Sequence, residues 1–262
     1  MAKKRKFKKT TVQVVDFDPN TYTYVFRKGN IKLGNSGKLV TWSTLMGDDS
    51  IFIPNLGYSV TGTCPKGCTC KQNCYVRKSY NRFPLSSPFG HAKNTLGLRS
   101  CPDKVFDDLD AQLTHNETSK RIKRKIEIVR LNQSGDIETE FEFFMWCELA
   151  KKHKKIVFYV YTKNYAVAEQ CIVNGYVGGL PSNFHILYSI WGNNGVKEYE
   201  RVKNYRNVHA FVYCDGNELV KPKTFCPAYN EKGKFDHNWT CEKCGKCFST
   251  AKCNKVIGCT DH

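Results

Sequence analysis

Apolar and polar positions along the chain follow two different periods, and the change of period divides it. TVQVVDFD (11–18) and TYTYVFRK (21–28) alternate with a period of two and are rich in Thr, Val, Tyr and Phe. With Pro19 and Asn20 between them they predict a β-hairpin. GNSGKLVTWSTL (34–45) reads as a turn followed by a strand. Gly, Pro, Asn and Cys dominate 54–74, which reads as loop, and 79–102, with three prolines, shows little pattern.

Past residue 120 the texture changes. RKIEIVRLN (124–132) predicts a strand, and ETEFEFFMWCELAKKH (138–153) an amphipathic helix. Phe141, Phe144, Met145 and Leu149 recur there at three- and four-residue spacing. Asp136 is the expected N-cap, with acids in the first turn and Lys/His in the last. KIVFYVYT (155–162) is a nearly continuous apolar strand of the kind a parallel sheet buries. NYAVAEQCIVNG (164–175) predicts a helix ended by Gly175, FHILYSIW (184–191) a strand, VKEYERVKNY (196–205) a helix and NVHAFVYC (207–214) a strand. This alternation means β/α units with right-handed crossovers, in an open or partial barrel or in a doubly wound sheet. In either case chemistry gathers at the C-terminal ends of the strands.

The expected organisation is a basic flexible arm over 1–10, a β-rich entry plus β/α unit over 11–225, and a Cys-rich extension over 226–262. No stretch approaches the roughly 20 apolar residues of a membrane span. The N-terminus lacks the apolar run of a secretory signal. The expected location is therefore a reducing cytoplasm, where clustered cysteines bind metal or do chemistry more often than they form disulfides. The formal net charge of +17 is concentrated in residues 3–9, six of seven being Lys or Arg, and in SKRIKRK (119–125). One reading is contact with DNA or RNA; the bland one is a solvated tail and a charged helix face.

The chemistry lies in the cysteines. Cys241-x2-Cys244-x2-Cys247 lets successive thiolates converge on one centre, with Cys226 as fourth ligand and Cys253, Cys259, His237 and His262 as substitutes. Cys64, Cys68, Cys70 and Cys74 form a second set in TCPKGCTCKQNC. Three thiolates around a cubane leave one iron open for a substrate, whereas four around zinc only staple the loop. Spacing leaves those two level. VRLNQSGD (129–136) delivers Ser134, Gly135 and Asp136 to a strand end, where Gly135 lets the backbone approach a ligand, or where Asp136 only caps a helix. Thr162 and Lys163 end the next strand, and SIWGNN (189–194) a third.

Taken together, GNSGKLVTWSTL, TCPKGCTCKQNCYVRK, VRLNQSGD, FYVYTKN and CPAYNEKGKFDHNWTCEKCGKC resemble a family of phage and bacterial proteins, the gene product eighty-eight family. That family looks like a divergent branch of the radical S-adenosylmethionine (SAM) superfamily. The resemblance implies an α/β fold, a partial (β/α) barrel of radical-SAM type. Cys64, Cys70 and Cys74 would hold a four-iron–four-sulfur (4Fe-4S) cluster, leaving Cys68 over. Ser134, Gly135 and Asp136 would stand where the SAM amino group is received, with Tyr75 and Lys163 in the same cofactor-binding set. Cys226, Cys241, Cys244 and Cys247 would hold a second cluster. Reductive cleavage of SAM would give a 5′-deoxyadenosyl radical that takes hydrogen from a substrate, nucleic acid or nucleotide. The superfamily's usual Cys-x3-Cys-x2-Cys run is absent, Tyr75 follows the last cysteine, and Asp replaces the commoner Glu. The alternative is a zinc-stapled, basic nucleic-acid-binding or -modifying protein without SAM chemistry.

Overall fold

The computed structural model describes residues 17–29, 32–34, 36–47, 50–53, 56, 58–68, 70, 74–84, 86–175, 179–228, 236, 238–249 and 256–260. The basic arm, most of the first predicted strand, His237, Cys253 and His262 lie outside them.

The alternating segment 21–28 buries Tyr24 and Phe26 as its pattern demands, yet its partner is a helix. The Tyr24 and Phe26 amides donate to Asp108 Oδ2 (2.9 Å) and Gln112 Oε1 (2.7 Å) on α3, Pro102–Thr118. Only β1, Arg27–Lys28, is a strand, antiparallel to β2, Leu39–Thr41. The first strand of the predicted 11–18/21–28 hairpin lies mostly outside the described residues; of the second, 21–26 is not strand, because helix side chains satisfy the amides of Tyr24 and Phe26, and only Arg27–Lys28 pairs, with β2. A separate hairpin, β3 (Ser50–Ile53) with β4 (Tyr58–Thr61), stands in what reads as loop.

The proline-bearing stretch is helical: α1 Tyr75–Arg82, α2 Ser87–Ser100, then α3. Pro88 and Pro102 fall in the first turns of α2 and α3, where a missing N–H costs nothing. The β/α series then runs β5 Ile128–Leu131, α4 Glu140–Lys152, β6 Val157–Thr162, α5 Tyr165–Gln170 with a π-turn at Cys171–Gly175, β7 Phe184–Trp191, α6 Val196–Val202 and β8 Val208–Tyr213. β9, Thr224–Phe225, leads into the tail, which adds α7 Cys241–Cys244 and β10 Val256–Cys259.

The sheet has the order β1-β2-β5-β6-β7-β8-β10-β9, parallel from β2 onward. From β2 to β8 each neighbour follows in chain order, so every right-handed crossover steps the same way and leaves its helix on the same face. Leu109, Trp146, Ala168 and Val202 of the helices accordingly pack with Val129, Phe158, Ile186 and Ala210 in one core. A doubly wound sheet would split its helices between two faces; this one does not. The opposite face carries Leu39, Ile128, Tyr159, Leu187, Phe211 and Ile257, and the tail covers it through Phe248, whose ring lies 4.9 Å from that of Tyr159. The Cys-rich segment is therefore a layer of the fold and, through β10, one of its strands.

Helix α4 begins at Thr139, whose hydroxyl accepts the Glu142 amide (3.1 Å). It buries Glu142, Phe143, Trp146, Cys147, Leu149 and Ala150, while Phe141 is exposed. The predicted cap, Asp136, is displaced to Thr139; of the predicted stripe Leu149 is buried and Phe144 and Met145 pack against the core, while Phe141 faces out and Trp146, the largest side chain, sets the centre of the inward face. At the far end His153 bridges Glu117 and Asp110 of α3, each at 2.8 Å, and ties α4 to α3 away from the strand ends that carry chemistry.

Candidate functional site

Asp136 is the clasp between two strand exits. Its Oδ1 accepts from Thr162 Oγ1 (2.7 Å) and the Ile137 amide (2.9 Å), and its Oδ2 from the amides of Lys163 (2.6 Å) and Asn164 (3.2 Å). Burial pushes its pKa up to about 6 against those bonds. With four donors spent on it, the carboxylate fixes the turn and is no free ligand. Gly135 has φ +75, and a Cβ there would stand 2.1 Å from Thr44 Oγ1 and 2.4 Å from Thr63 Oγ1. The Ser134 carbonyl accepts the Thr44 amide (3.0 Å). The turn thus admits only glycine because two threonines press against it.

One of those threonines leads into the first cysteine set. Thr63 Oγ1 accepts the Asp136 amide (2.8 Å), and Cys64 follows at once, its sulfur accepting the Gly47 amide (3.2 Å). Burial pushes the Cys64 thiol up to about 11. Cys68 and Cys70 sulfurs lie 3.3 Å apart, and Cys74, which precedes α1, has its sulfur 4.0 Å from that of Met46. The Cys68 and Cys74 thiols and the nearby Lys163 ammonium hold Cys70 low, and Cys70 with burial pushes Cys68 and Cys74 up. Cys68, the residue left over in the sequence reading, has its sulfur against that of Cys70. Tyr75 opens α1 and donates its hydroxyl to the Gln133 carbonyl, bracing the same turn. Lys163 reaches Ser189 Oγ (3.0 Å) at the end of β7.

The tail set faces it. The Cys241 and Glu242 amides donate to the Lys32 and Leu33 carbonyls (3.1 Å each), and Glu242 Oε1 accepts the Leu39 amide (3.0 Å). That knuckle is pinned to the entry segment at 32–39. Tyr161, on β6, donates to Cys247 Sγ (3.0 Å). Burial raises the Cys226 and Cys241 thiols; Cys244 beside both raises them further, and Lys32 opposes.

Both sets line one cavity of about 1150 Å³ of non-atom space, part of it continuous with solvent. Ser134, Gly135, Asp136, Tyr75 and Lys163 line it too, whereas Thr162 and the substitute ligand Cys259 do not, and His237, Cys253 and His262 lie outside the described residues. Sequence reading missed two others on its wall, Arg130 and Asn132. The signal was present: Arg130 is a lone charge inside the apolar alternation of VRL. All described cysteines are free thiols, and among the described residues no three His, Cys, Asp or Glu side chains stand in a chelating arrangement. The donor chemistry nonetheless fits a thiolate-bound metal: two sets of partly buried thiols, the Cys68 and Cys70 sulfurs in contact, beside Lys163, Lys32 and Arg130.

Among the described residues no helix is long and apolar enough to cross a membrane. A family model described as Gene product 88 matches residues 24–257. No curated protein and no solved structure matches.

Proposed function

The chain belongs to the phage Gene product 88 family, and from its cavity we propose that it is a radical-SAM-like iron–sulfur protein with two metal centres. One observation carries this. The 64–74 cysteine loop comes after the first parallel strand, the SGD turn ends the second, and both reach one cavity at the C-terminal ends of the strands. A sheet wound in one direction with helices on one face is the layer pattern of a (β/α) barrel left open; on this reading the fold is a partial barrel.

Cys68, Cys70 and Cys74 hold the first centre: the Cys68 and Cys70 sulfurs touch, and Cys74 lines the same cavity at the start of α1. Cys226, Cys241, Cys244 and Cys247 hold the second. Lys163 offsets thiolate charge at the first, and Lys32 at the second. Asp136 keeps Ser134 and Gly135 in the shape that meets SAM. When bound, a 4Fe-4S cluster supplies the electron for reductive cleavage of SAM.

Anaerobic purification with iron, sulfide and zinc analysis tests the reading. The expected result is a brown protein with iron and sulfide, which Cys68→Ser strips of first-centre iron and Cys64→Ser does not. A colourless, zinc-loaded protein overturns it in favour of the zinc-stapled alternative. A second reading concerns the surface: Lys120, Arg121, Lys123 and Arg124 stand exposed in the loop before β5, a contact for DNA or RNA phosphates.

A further inference from the structure

Arg130 and Asn132 lie two residues apart at the C-terminal end of β5, and both line the cavity between the cysteine sets. Asn132 is 4% exposed, yet its Oδ1 and Nδ2 have no hydrogen-bond partner. Buried amides are seldom left so, because each unpaired atom costs its full desolvation. Its backbone is also left-handed, at φ 46, which Asn tolerates better than most residues and Gly better still. Arg130 has a similar deficit. Its Nε is buried without a partner. Its other contacts are a 3.5 Å bond from Nη2 to the Tyr75 hydroxyl and the face of the Tyr161 ring, 4.9 Å away. Among the described residues no carboxylate pairs with it. Trp191 and Phe211 add apolar wall to the same cavity, with Trp239 half-exposed.

We propose that Arg130 and Asn132 form a ligand-recognition pair, which takes a small molecule bearing a phosphate or carboxylate next to an amide-like N–H/C=O edge. The guanidinium takes the anion through its donor fork. The Asn132 amide gives one donor and one acceptor to the edge. Strain and unmet hydrogen bonds at one position are the mark of a pre-organised contact. The pair concerns the cavity wall and holds whichever metal the sulfurs take, so it can fail or stand apart from the iron–sulfur reading.

Trp191 and Trp239 report on the cavity, so ligand binding to the full, metal-loaded chain is followed by tryptophan fluorescence and checked by calorimetry. The probes are UMP, with a phosphate and a base edge, N-acetylglycine, with a carboxylate beside an amide, and inorganic phosphate. Saturable binding of UMP or of N-acetylglycine, tighter than that of phosphate, is expected, and which of them binds assigns the anion. Arg130→Leu should weaken it at least about tenfold, the scale of a lost charge-assisted pair. Asn132→Gly should weaken it without lowering the melting temperature. If Arg130→Leu does not fold, Arg130→Lys, which keeps charge but not the fork, and Asn132→Asp, which sets a negative charge beside the anion, must both weaken binding. No saturation by any probe up to about 10 mM, beyond the millimolar range of weak specific binding, overturns the proposal. So does unchanged affinity in Arg130→Leu, or a variant that alters metal content alone, which would make Arg130 a servant of the sulfurs.

Discussion

Glu142 illustrates what a single residue contributes here. It is buried in the first turn of α4, where Oε2 accepts the Glu138 amide (2.9 Å) and Oε1 the Trp146 indole N–H (3.1 Å). Burial pushes its pKa from the usual 4.5 up to about 7 despite both bonds. The folded state therefore favours the protonated acid, so its contribution is full below about pH 4.5 and is lost as pH rises through about 7. The whole effect is on the order of 3 kcal/mol. Urea unfolding of the native chain and of Glu142→Gln at pH 5 and pH 8 should show a smaller pH gap in the variant; an unchanged gap would refute this role. Glu142 and its cap were legible, since Thr139-Glu-Phe-Glu is a Thr-x-x-Glu box at the helix start. Asp136 drew the cap reading because it too precedes the helix, and only the fold shows four donors converging on it from another strand.

Among elements, the strands after residue 120 were readable because each is apolar on both faces, and a run such as FHILYSIW has no other use. Helices α2 and α3 are harder to read: α2 has no clear apolar stripe, and the helical spacing of Val105, Phe106, Leu109 and Leu113 lies behind prolines that sit in first helical turns. The tail was misjudged in another way. Its six cysteines hid one aromatic, Phe248, that seats it on the sheet. Phe248→Ala should cost roughly 3–4 kcal/mol of docking, the usual loss for a buried Phe. Limited proteolysis should then cut between 226 and 256 and release metal from the second set first. A variant as resistant as the native chain would show that the sulfurs alone hold the tail.

Across the whole molecule, the cavity and the basic loop are at opposite ends of the strands, for 119–125 leads into β5 and the SGD turn leaves it. Two of the five cations in that loop are already engaged. Lys125 Nζ donates to the carbonyls of Asn116, Glu117 and Ser119 at the end of α3, and Arg124 donates to that of Ser36. Replacing Lys120, Arg121 and Lys123 with Gln should lower the slope of log affinity for duplex DNA against log salt by about 2.7, at about 0.9 per phosphate contact. Probe binding in the cavity should not change. A parallel loss of both would place the polyanion at the cavity mouth.

The placement of β10 carries a consequence for how the chain is made. It lies between β8 and β9, and it completes the bonds of both: the Cys214 amide donates to Cys259, and the Cys226 amide to Gly258. While the ribosome is still delivering residues before 256, β9 has no neighbour and the sheet stops at β8. Parallel strands joined across long separations also pair slowly. Synthesis therefore holds the protein in an unfinished form until residue 259 clears the exit tunnel. The Cys226 amide meets its Gly258 partner only then, so the edge of the sheet that carries this thiol is the last to be completed.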